Sequence, residues 1–304
     1  MLPDGAFKGA VWVAGDVDMI PRLDESIGWI LLAYSGAAQA SSVANGSAYK
    51  HYFPGVPDTF VPNKWLTARR LTPASAAADE FGETFIDLKP TQIVFNVTPG
   101  NVLGMRTTFG GLFLAERVTD PRHATPAWAP SYEDFTGVPI ATRGAFNMYN
   151  NTPFRRVTNL TLTLGIGAPD ARQELVVGQY YPHDITPLSR QIQVAFTAFY
   201  TDADLYKKLS YADGASWSPV VWEAGAFNCY FQTPSDTVFG AGTKPGELGF
   251  QAARMFWRAD PITLRGGDTV VMRVTGTVLK AASEATTDWS VWLQNSKSSY
   301  IWPT

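Results

Sequence analysis

The sequence predicts a mainly β chain of the α+β type, folded as two tandem β-sandwich domains that are each flanked by a short helix. Apolar and polar residues alternate with a period of two along most of the 304 residues, between Gly, Pro and Asn punctuation. Only two stretches have the periodicity of an amphipathic helix. A pattern of strand, short helix and Gly-Ala exit occurs twice, about 180 residues apart. This recurrence indicates two copies of one β-rich unit.

The first copy begins with a predicted strand at residues 10–18, followed by a helix at residues 23–34 and an exit through Gly36-Ala37. The second copy has a strand at residues 191–199, a helix at about 202–209 and an exit at residues 214–215. Acidic residues at the start of each predicted helix would stabilise it, because they lie at the positive, N-terminal end of the helix dipole. Both helices are therefore expected to flank a sheet.

Further strands are predicted as hairpins. Residues 92–97 return as residues 103–109 after a Pro-Gly-Asn turn. Residues 160–164 alternate Leu with Thr, and residues 175–177 are predicted as their return strand. Residues 270–275 form another strand. The Pro-rich stretch at residues 119–130 predicts the boundary between a first domain at 1–125 and a second at 126–304.

The composition limits the kind of partner. The net charge is −3 and only 17% of residues are charged. This composition argues against a protein that binds nucleic acid tightly through clustered cations. It is compatible with a protein past which nucleic acid slides. Aromatic residues make up 13% of the chain, as expected where partners bury surface. We expect a product made in the cytoplasm, without a leader and without membrane insertion.

We expect no enzyme activity, no cofactor and no metal. His51, His123 and His183 each lack a second ligand at helical or strand spacing, and no nucleophile elbow, zinc-protease or phosphate-loop motif occurs. Asp16 and Asp18 would lie about 7 Å apart on one strand face, a spacing that raises a glycosidase interpretation. We interpret this pair as chance, and the single Cys229 as a buried, inert thiol.

Several segments together resemble the major tail protein of bacteriophages, the tail tube protein of long, non-contractile siphophage tails. The resemblance rests on residues 8–36, 49–54 and 86–113 in the first half, and on 152–164 and 189–209 in the second. Its most recognisable part is the Phe199-Tyr200-Thr201-Asp202 corner followed by Leu205-Tyr206. The resemblance covers most of the chain. It lies in the spacing of the segments and in the class of residue at each position, and not in a catalytic motif.

The resemblance implies a structural virion protein whose inner sheets join into an intersubunit β-barrel around a lumen for duplex DNA. Two tube domains per chain imply a homotrimeric ring with pseudo-sixfold symmetry, and a homohexamer is the alternative. Stacked rings would form the tail tube, with tail terminator, tape-measure and tail-tip proteins as further partners. The genome would pass transiently during delivery into the host.

Polar residues opposite the apolar strand faces are the candidates for lining that lumen, because small polar and acidic side chains would repel or ignore phosphate, whereas rows of Arg would bind DNA tightly and impede ejection. These candidates are Asp16, Asp18, Thr161, Thr163, Gln191, Gln193 and Thr197.

A carbohydrate-binding β-sandwich is the alternative from another class. It would use exposed tryptophans, and six crowd the last third of the chain: Trp217, Trp222, Trp257, Trp289, Trp292 and Trp302. We expect these to be buried in a core or interface. Another tail or capsid structural protein is the remaining alternative.

Overall fold

A computed structural model of the chain supports the mainly β class. The description covers residues 13–23, 27–42, 48–55, 64–72, 81–116, 137–149, 152–153, 156–166, 175–177, 179, 190–200, 206–207, 209, 223–224, 226–234, 245–260, 262, 270–281 and 287–300. Within these residues, sixteen strands and one helix are defined. The strands form two sheets, so the predicted fold class is confirmed.

The first half of the chain contributes these elements: β1 Val13–Met19, α1 Ile27–Ser35, β2 Gln39–Ser42, β3 Tyr49–Pro54, β4 Leu66–Thr72, β5 Phe81–Val97 and β6 Gly104–Glu116. The second half contributes β7 Ile140–Tyr149, β8 Thr152–Pro153, β9 Val157–Ile166, β10 Arg190–Phe199, β11 Glu223–Ala224, β12 Phe227–Gln232, β13 Glu247–Ala252, β14 Met255–Ala259, β15 Val271–Val278 and β16 Trp289–Asn295.

A nine-stranded antiparallel sheet has the order β1-β6-β5-β9-β10-β15-β14-β11, with β4 paired to one end of β5. The predicted hairpin forms its β5–β6 pair. The turn closes with a hydrogen bond of 3.1 Å from the Asn101 amide to the Thr98 carbonyl. Gly100 supplies the positive φ of 79° that this turn requires.

A seven-stranded antiparallel sheet has the order β2-β3-β16-β13-β12-β7-β8. Its interior strand β16, between β3 and β13, is buried along its whole length. The two sheets pack face to face, and their inward residues form one core that includes Phe95, Phe196, Phe227 and Phe250. Edge-to-face contacts join the sheets, for example between Phe196 and Phe146 with ring centroids 4.9 Å apart.

The strand pairing crosses the predicted domain boundary. β5 pairs with β9 through six residue pairs from Gln92↔Gly165 to Val97↔Leu160. In the other sheet, β3 pairs with β16. Both sheets therefore contain strands from residues 1–125 and from residues 126–304, and the division into two domains stays a prediction.

The helix α1 lies close to its predicted position and ends as predicted. Gly36 has a φ of 84° and donates its amide to the Leu32 carbonyl at 2.8 Å, which is a glycine C-cap. The sequence predicted burial of one face of the helix, but eight of its nine residues are buried, so α1 is covered on nearly all sides. The ring of Tyr300 covers the helix at Gly28 and meets Trp29 edge-on at 5.4 Å.

Two other predictions have different outcomes. The return strand at residues 175–177 is wrong: β9 pairs with β10 and β5 instead, and the side chain of Val177 is fully exposed. Of the second predicted helix, Tyr206, Lys207 and Leu209 have helical backbone, and its other residues lie outside the described ones. The Pro-rich stretch at 119–130 also lies outside them.

Candidate functional site

The predicted lumen residues share one face of the nine-stranded sheet, the face that points away from the core and that we call the outward face. In β10, Gln191 and Gln193 are exposed while Ile192 and Val194 are buried. Strand geometry therefore puts the glutamines on the opposite side from the core. The same alternation holds in β9, where three buried leucines alternate with half-buried threonines. The residues placed on this face are Asp16, Asp18, Thr161, Thr163, Gln191, Gln193 and Thr197.

Strand register aligns these residues into rows that run across the sheet. One row crosses six strands, from β1 through β6, β5, β9 and β10 to β15. Its members in that order are Asp18, Arg106, Val94, Thr163, Gln193 and Thr277. Neighbouring strands lie about 4.8 Å apart, so one row extends about 24 Å. The fold thus assembles one wide surface from residues far apart in sequence.

The acidic residues of β1 pair with neighbours on β6. Arg106 donates to Asp16 and lies 3.8 Å from Asp18, measured from Nε to Oδ1. The Thr108 hydroxyl donates to the other Asp16 oxygen at 2.6 Å. The Thr108 and Arg106 hydrogen bonds hold the pKa of Asp16 below its ordinary value, and the Asp16 bond raises the pKa of Arg106. The three ionised groups leave one net negative charge at this edge.

The opposite end of the sheet carries cations. Arg258 on β14 and Arg273 on β15 are exposed and lie on the outward face, since Arg258 pairs with Thr275 and Arg273 with Thr197. Asp260 is also exposed and donates its amide to the Arg273 carbonyl at 3.0 Å. Among the side chains that the structure describes at this corner, these three leave one net positive charge.

Sequence reasoning missed the arginines of the outward face. The signal for Arg106 was present, because it lies between the core residues Met105 and Thr107, which are 2% and 0% exposed. Strand alternation therefore assigns it to the same face as Asp16 and Asp18. The pairing itself depends on the β1–β6 register, which the sequence does not reveal.

The centre of the outward face is polar and uncharged. Its described positions on the facing parts of β5, β9 and β10 are Gln92, Val94, Asn96, Asn159, Thr161, Thr163, Gln191, Gln193, Ala195 and Thr197. The Thr161 hydroxyl donates to the Asn96 side-chain oxygen at 3.1 Å across the β5–β9 pair. Such a surface presents hydrogen-bonding groups without a fixed charge that would hold a polyanion.

The reactive side chains elsewhere have structural partners. His51 is buried and its Nε2 donates to the Lys297 carbonyl at 2.7 Å, and burial lowers its pKa. Cys229 is buried as predicted, and burial raises the pKa of its thiol to about 12. His123 and His183 lie outside the described residues.

The tryptophans of the last third of the chain are buried wherever the structure describes them. Trp257, Trp289 and Trp292 are at most 5% exposed. Trp257 contacts Phe227 edge-on at 5.4 Å, between the two sheets. Trp217, Trp222 and Trp302 lie outside the described residues. The described tryptophans therefore offer no ring to a glycan at the surface.

An open groove of about 690 Å³ lies where β7 and β9 approach the β5–β6 turn. It is lined by Val97, Pro99, Gly100, Ala141, Thr142, Gly144, Ala145, Phe146, Asn147, Val157, Thr158, Asn159, Leu160, Tyr230 and Phe231. This lining lacks the carboxylate and imidazole groups on which acid–base chemistry usually depends.

The described residues contain no cluster of three or more His, Cys, Asp or Glu side chains that could hold a metal ion. They also contain no helix with the length and apolar character needed to span a membrane.

The chain matches a known protein family. The family model described as phage tail tube protein matches residues 1–291, which is nearly the whole chain. The curated proteins contain no match.

Proposed function

Because the chain belongs to the phage tail tube protein family, we propose that three copies close a ring and that rings stack into the tube of a long, non-contractile siphophage tail. The chain is a structural component of the virion tail and is made in the host cytoplasm. Within the proposed tube, the outward face of the nine-stranded sheet lines the lumen through which the genome is delivered. Duplex DNA passes this face transiently and without sequence-specific contacts.

One observation carries this proposal: the nine-stranded sheet presents a wide, polar, mostly uncharged face, and neither of its end strands has a further strand partner among the described residues. A strand at the end of a sheet exposes unpaired backbone groups, and barrel closure is the arrangement that removes such edges. Among the described residues, the edge strands are β1 at one end and β11, which pairs with β14 through two residues, at the other. The polar face suits a lumen because it offers phosphate few cations.

The strand count favours a trimer. Eight strands follow one another in the sheet, so three copies supply about 24 strands. With strands about 4.8 Å apart and tilted by about 40°, such a barrel measures about 48 Å between opposite backbones. Six copies would give about 95 Å by the same geometry. The smaller barrel fits closely around one duplex after side chains are added, whereas the larger would leave most of its lumen empty.

The strand order also supports two tube domains at residues 1–125 and 126–304. The first half contributes the adjacent block β1-β6-β5 and the second half contributes the adjacent block β9-β10-β15-β14, which ends in the two-residue strand β11. The blocks meet at the β5–β9 pair. If each block is one sixth of the barrel, the trimeric ring has pseudo-sixfold symmetry, and the β5–β9 pair resembles the joints between chains.

The first experiment is negative-stain electron microscopy of concentrated protein, with light-scattering mass determination on the same sample. We expect stacked rings with a central hole and a ring mass three times 33.2 kDa. A mass six times that of the chain would contradict the trimer. A persistent monomer, also in the presence of the phage's tail-tip complex, would contradict the tube. Tail terminator and tape-measure proteins are the further partners we expect in the complete tail.

The lumen assignment is tested with a matched pair of substitutions. Gln193→Arg places a cation at the centre of the outward face, and Gln251→Arg places one on the exposed side of the seven-stranded sheet. We expect both variants to form tubes. We expect Gln193→Arg alone to slow DNA ejection from assembled phage, because a ring of cations binds phosphate. Equal ejection rates for both variants would contradict a lumen position for Gln193.

A further inference from the structure

We propose that a turn at Val176 and Val177 of one copy docks into the groove beside β7 and β9 of a copy in the next ring. The proposal rests on the proposed ring and names the two surfaces that meet along the tube. It commits to a second copy of this chain as the occupant of the groove.

The first support is the exposure of a short apolar turn in the connection between β9 and β10. Val177 is fully exposed and Val176 is 47% exposed. The Gln179 amide donates to the Val176 carbonyl at 3.1 Å, which closes the turn. Two adjacent valine side chains in water gain free energy when a partner covers them. This turn is therefore suited to insertion into an apolar surface.

The second support is the character of the groove, which has a volume of about 690 Å³. Its described lining contains no Asp, Glu, Lys, Arg or His, and it includes the apolar side chains of Val97, Val157 and Phe231. The Phe231 ring lies against β7 at Gly144, where a Cβ would be 2.6 Å from the ring. An uncharged segment with small apolar side chains fits such a lining. The valine turn is a segment of this kind.

The third support is the position of the two surfaces relative to the nine-stranded sheet. The groove lies at the end of the β5–β9 pair where Val97 faces Leu160. The connection that carries the turn leaves β9 at Ile166 and enters β10 at Arg190, and these two residues pair at the opposite end. A second copy shifted along the strands therefore brings its connection towards the groove. A contact between two different surfaces, repeated without closure, gives a filament.

Other exposed apolar side chains indicate an interface at the groove end. Phe199 and Val271 face each other on β10 and β15 and are 44% and 46% exposed. Ile20, immediately after β1, is 47% exposed. These positions lie beside the β5–β6 turn, because β1 and β10 end there and β15 begins there. A ring stacked on this end would cover all three side chains.

A charge on the turn tests the contact. Val177→Asp changes a fully exposed side chain, so the fold is not at risk. We expect this variant to form rings of the wild-type mass but to need at least about tenfold more protein to stack them, since covering one valine is worth about tenfold in affinity. Val177→Ile should stack at about the wild-type concentration.

A charge in the groove should have the same effect. Thr142 is exposed and belongs to the groove lining, and we expect Thr142→Asp to weaken stacking as strongly as Val177→Asp. The matched control is Gln251→Asp, at an exposed position on the seven-stranded sheet, which should stack normally. Ring mass is measured by light scattering, and stacking by sedimentation and negative-stain electron microscopy across a concentration series.

A cross-link tests whether the two surfaces touch. Chains with Val177→Cys are mixed with chains with Thr142→Cys before assembly, so that a bond between residues 177 and 142 arises only between copies. The control mixture contains Val177→Cys and Gln251→Cys chains. The buried Cys229 does not react in the folded chain. After treatment with a short bismaleimide, we expect peptides joined at residues 177 and 142 in tubes of the first mixture, and not in isolated rings.

The outcomes separate the docking from the tube. Tubes that form from Val177→Asp at the wild-type concentration would overturn the docking and leave the tube function intact. Equal cross-link yields in isolated rings and in tubes would also overturn it, because the contact would then lie within a ring. A wild-type chain that forms no ring under any condition would overturn the proposed function and the docking together.

Discussion

Gly276→Ala is expected to destabilise the chain, because the methyl group would enter the ring of Trp257. A Cβ at this position would lie 2.5 Å from Cε3 of Trp257 and 2.8 Å from Cε of Met255. Carbon atoms in contact are normally about 3.5–4.0 Å apart. The indole would therefore have to move by about 1 Å. It has little room to do so, because it is 1% exposed and its ring centroid lies 5.7 Å from that of Phe196.

The magnitude is the difference of two effects. Overpacking of a core costs about 1–3 kcal/mol, and replacing glycine by alanine within a strand returns about 0.5–1 kcal/mol. The net loss in free energy of unfolding is therefore about 0–2.5 kcal/mol. Gly104→Ala, in β6 of the same sheet, is the matched control, because among the described residues the one atom within 4 Å of its Cβ is the Asn96 carbonyl oxygen at 3.8 Å. We expect Gly104→Ala to be about 0.5–1 kcal/mol more stable than the wild type.

The assay is urea unfolding followed by far-UV circular dichroism, with midpoints compared at equal slope. Trp257→Phe should relieve the clash, so Gly276→Ala combined with Trp257→Phe should be more stable than the sum of the two single effects. Gly276→Ala variants that unfold at the same midpoint as Gly104→Ala would refute the steric reasoning. So would strictly additive effects in the double variant.

Three further predictions follow from buried groups. Folding lowers the pKa of His51. The contribution of His51 to the free energy of unfolding should therefore be complete above its pKa in the unfolded chain, about 6.5, and should be lost as the pH falls through the lower folded pKa. His51→Gln should flatten this part of a profile of melting temperature against pH. Cys229 should react with a thiol reagent only at the rate of unfolding, because it is buried and its pKa is about 12; rapid labelling of the folded protein would contradict its burial. Glu247→Leu should cost about 2–3 kcal/mol in urea unfolding, because the carboxylate accepts from Lys50 at 3.1 Å and from the Trp292 indole; Glu247→Gln should cost less, and equal losses would refute a role for its charge.

The strand faces could be predicted from the sequence because a side chain's face depends only on local alternation. Thr161, Thr163, Gln191 and Gln193 were placed correctly on the side opposite the leucines and valines of β9 and β10. Strand partners could not be predicted in this way. Residues 175–177 follow β9 closely in the sequence, yet β9 pairs with β10 and with β5. Alternation carries no information about which strand lies alongside.

The helix and the charged edge show the same limit. The burial of α1 on nearly all sides depends on Tyr300, which comes from the far end of the described chain and covers Gly28. The partners of Asp16 depend on the β1–β6 register, which brings Arg106 and Thr108 beside it from about 90 residues away. A sequence pattern that extends over a few positions does not predict contacts between residues far apart in the chain.

The position of β16 has a consequence for the timing of synthesis. This strand is the last one described, yet it lies between β3 and β13 near the middle of its sheet, so β3 lacks that neighbour until residue 295 has left the ribosome. At about 5–20 residues per second, synthesis to that point takes about 15–60 seconds. During that time the early strands cannot complete the core, and contacts of such long sequence separation form slowly. The seven-stranded sheet is therefore completed only in chains that have been translated through β16.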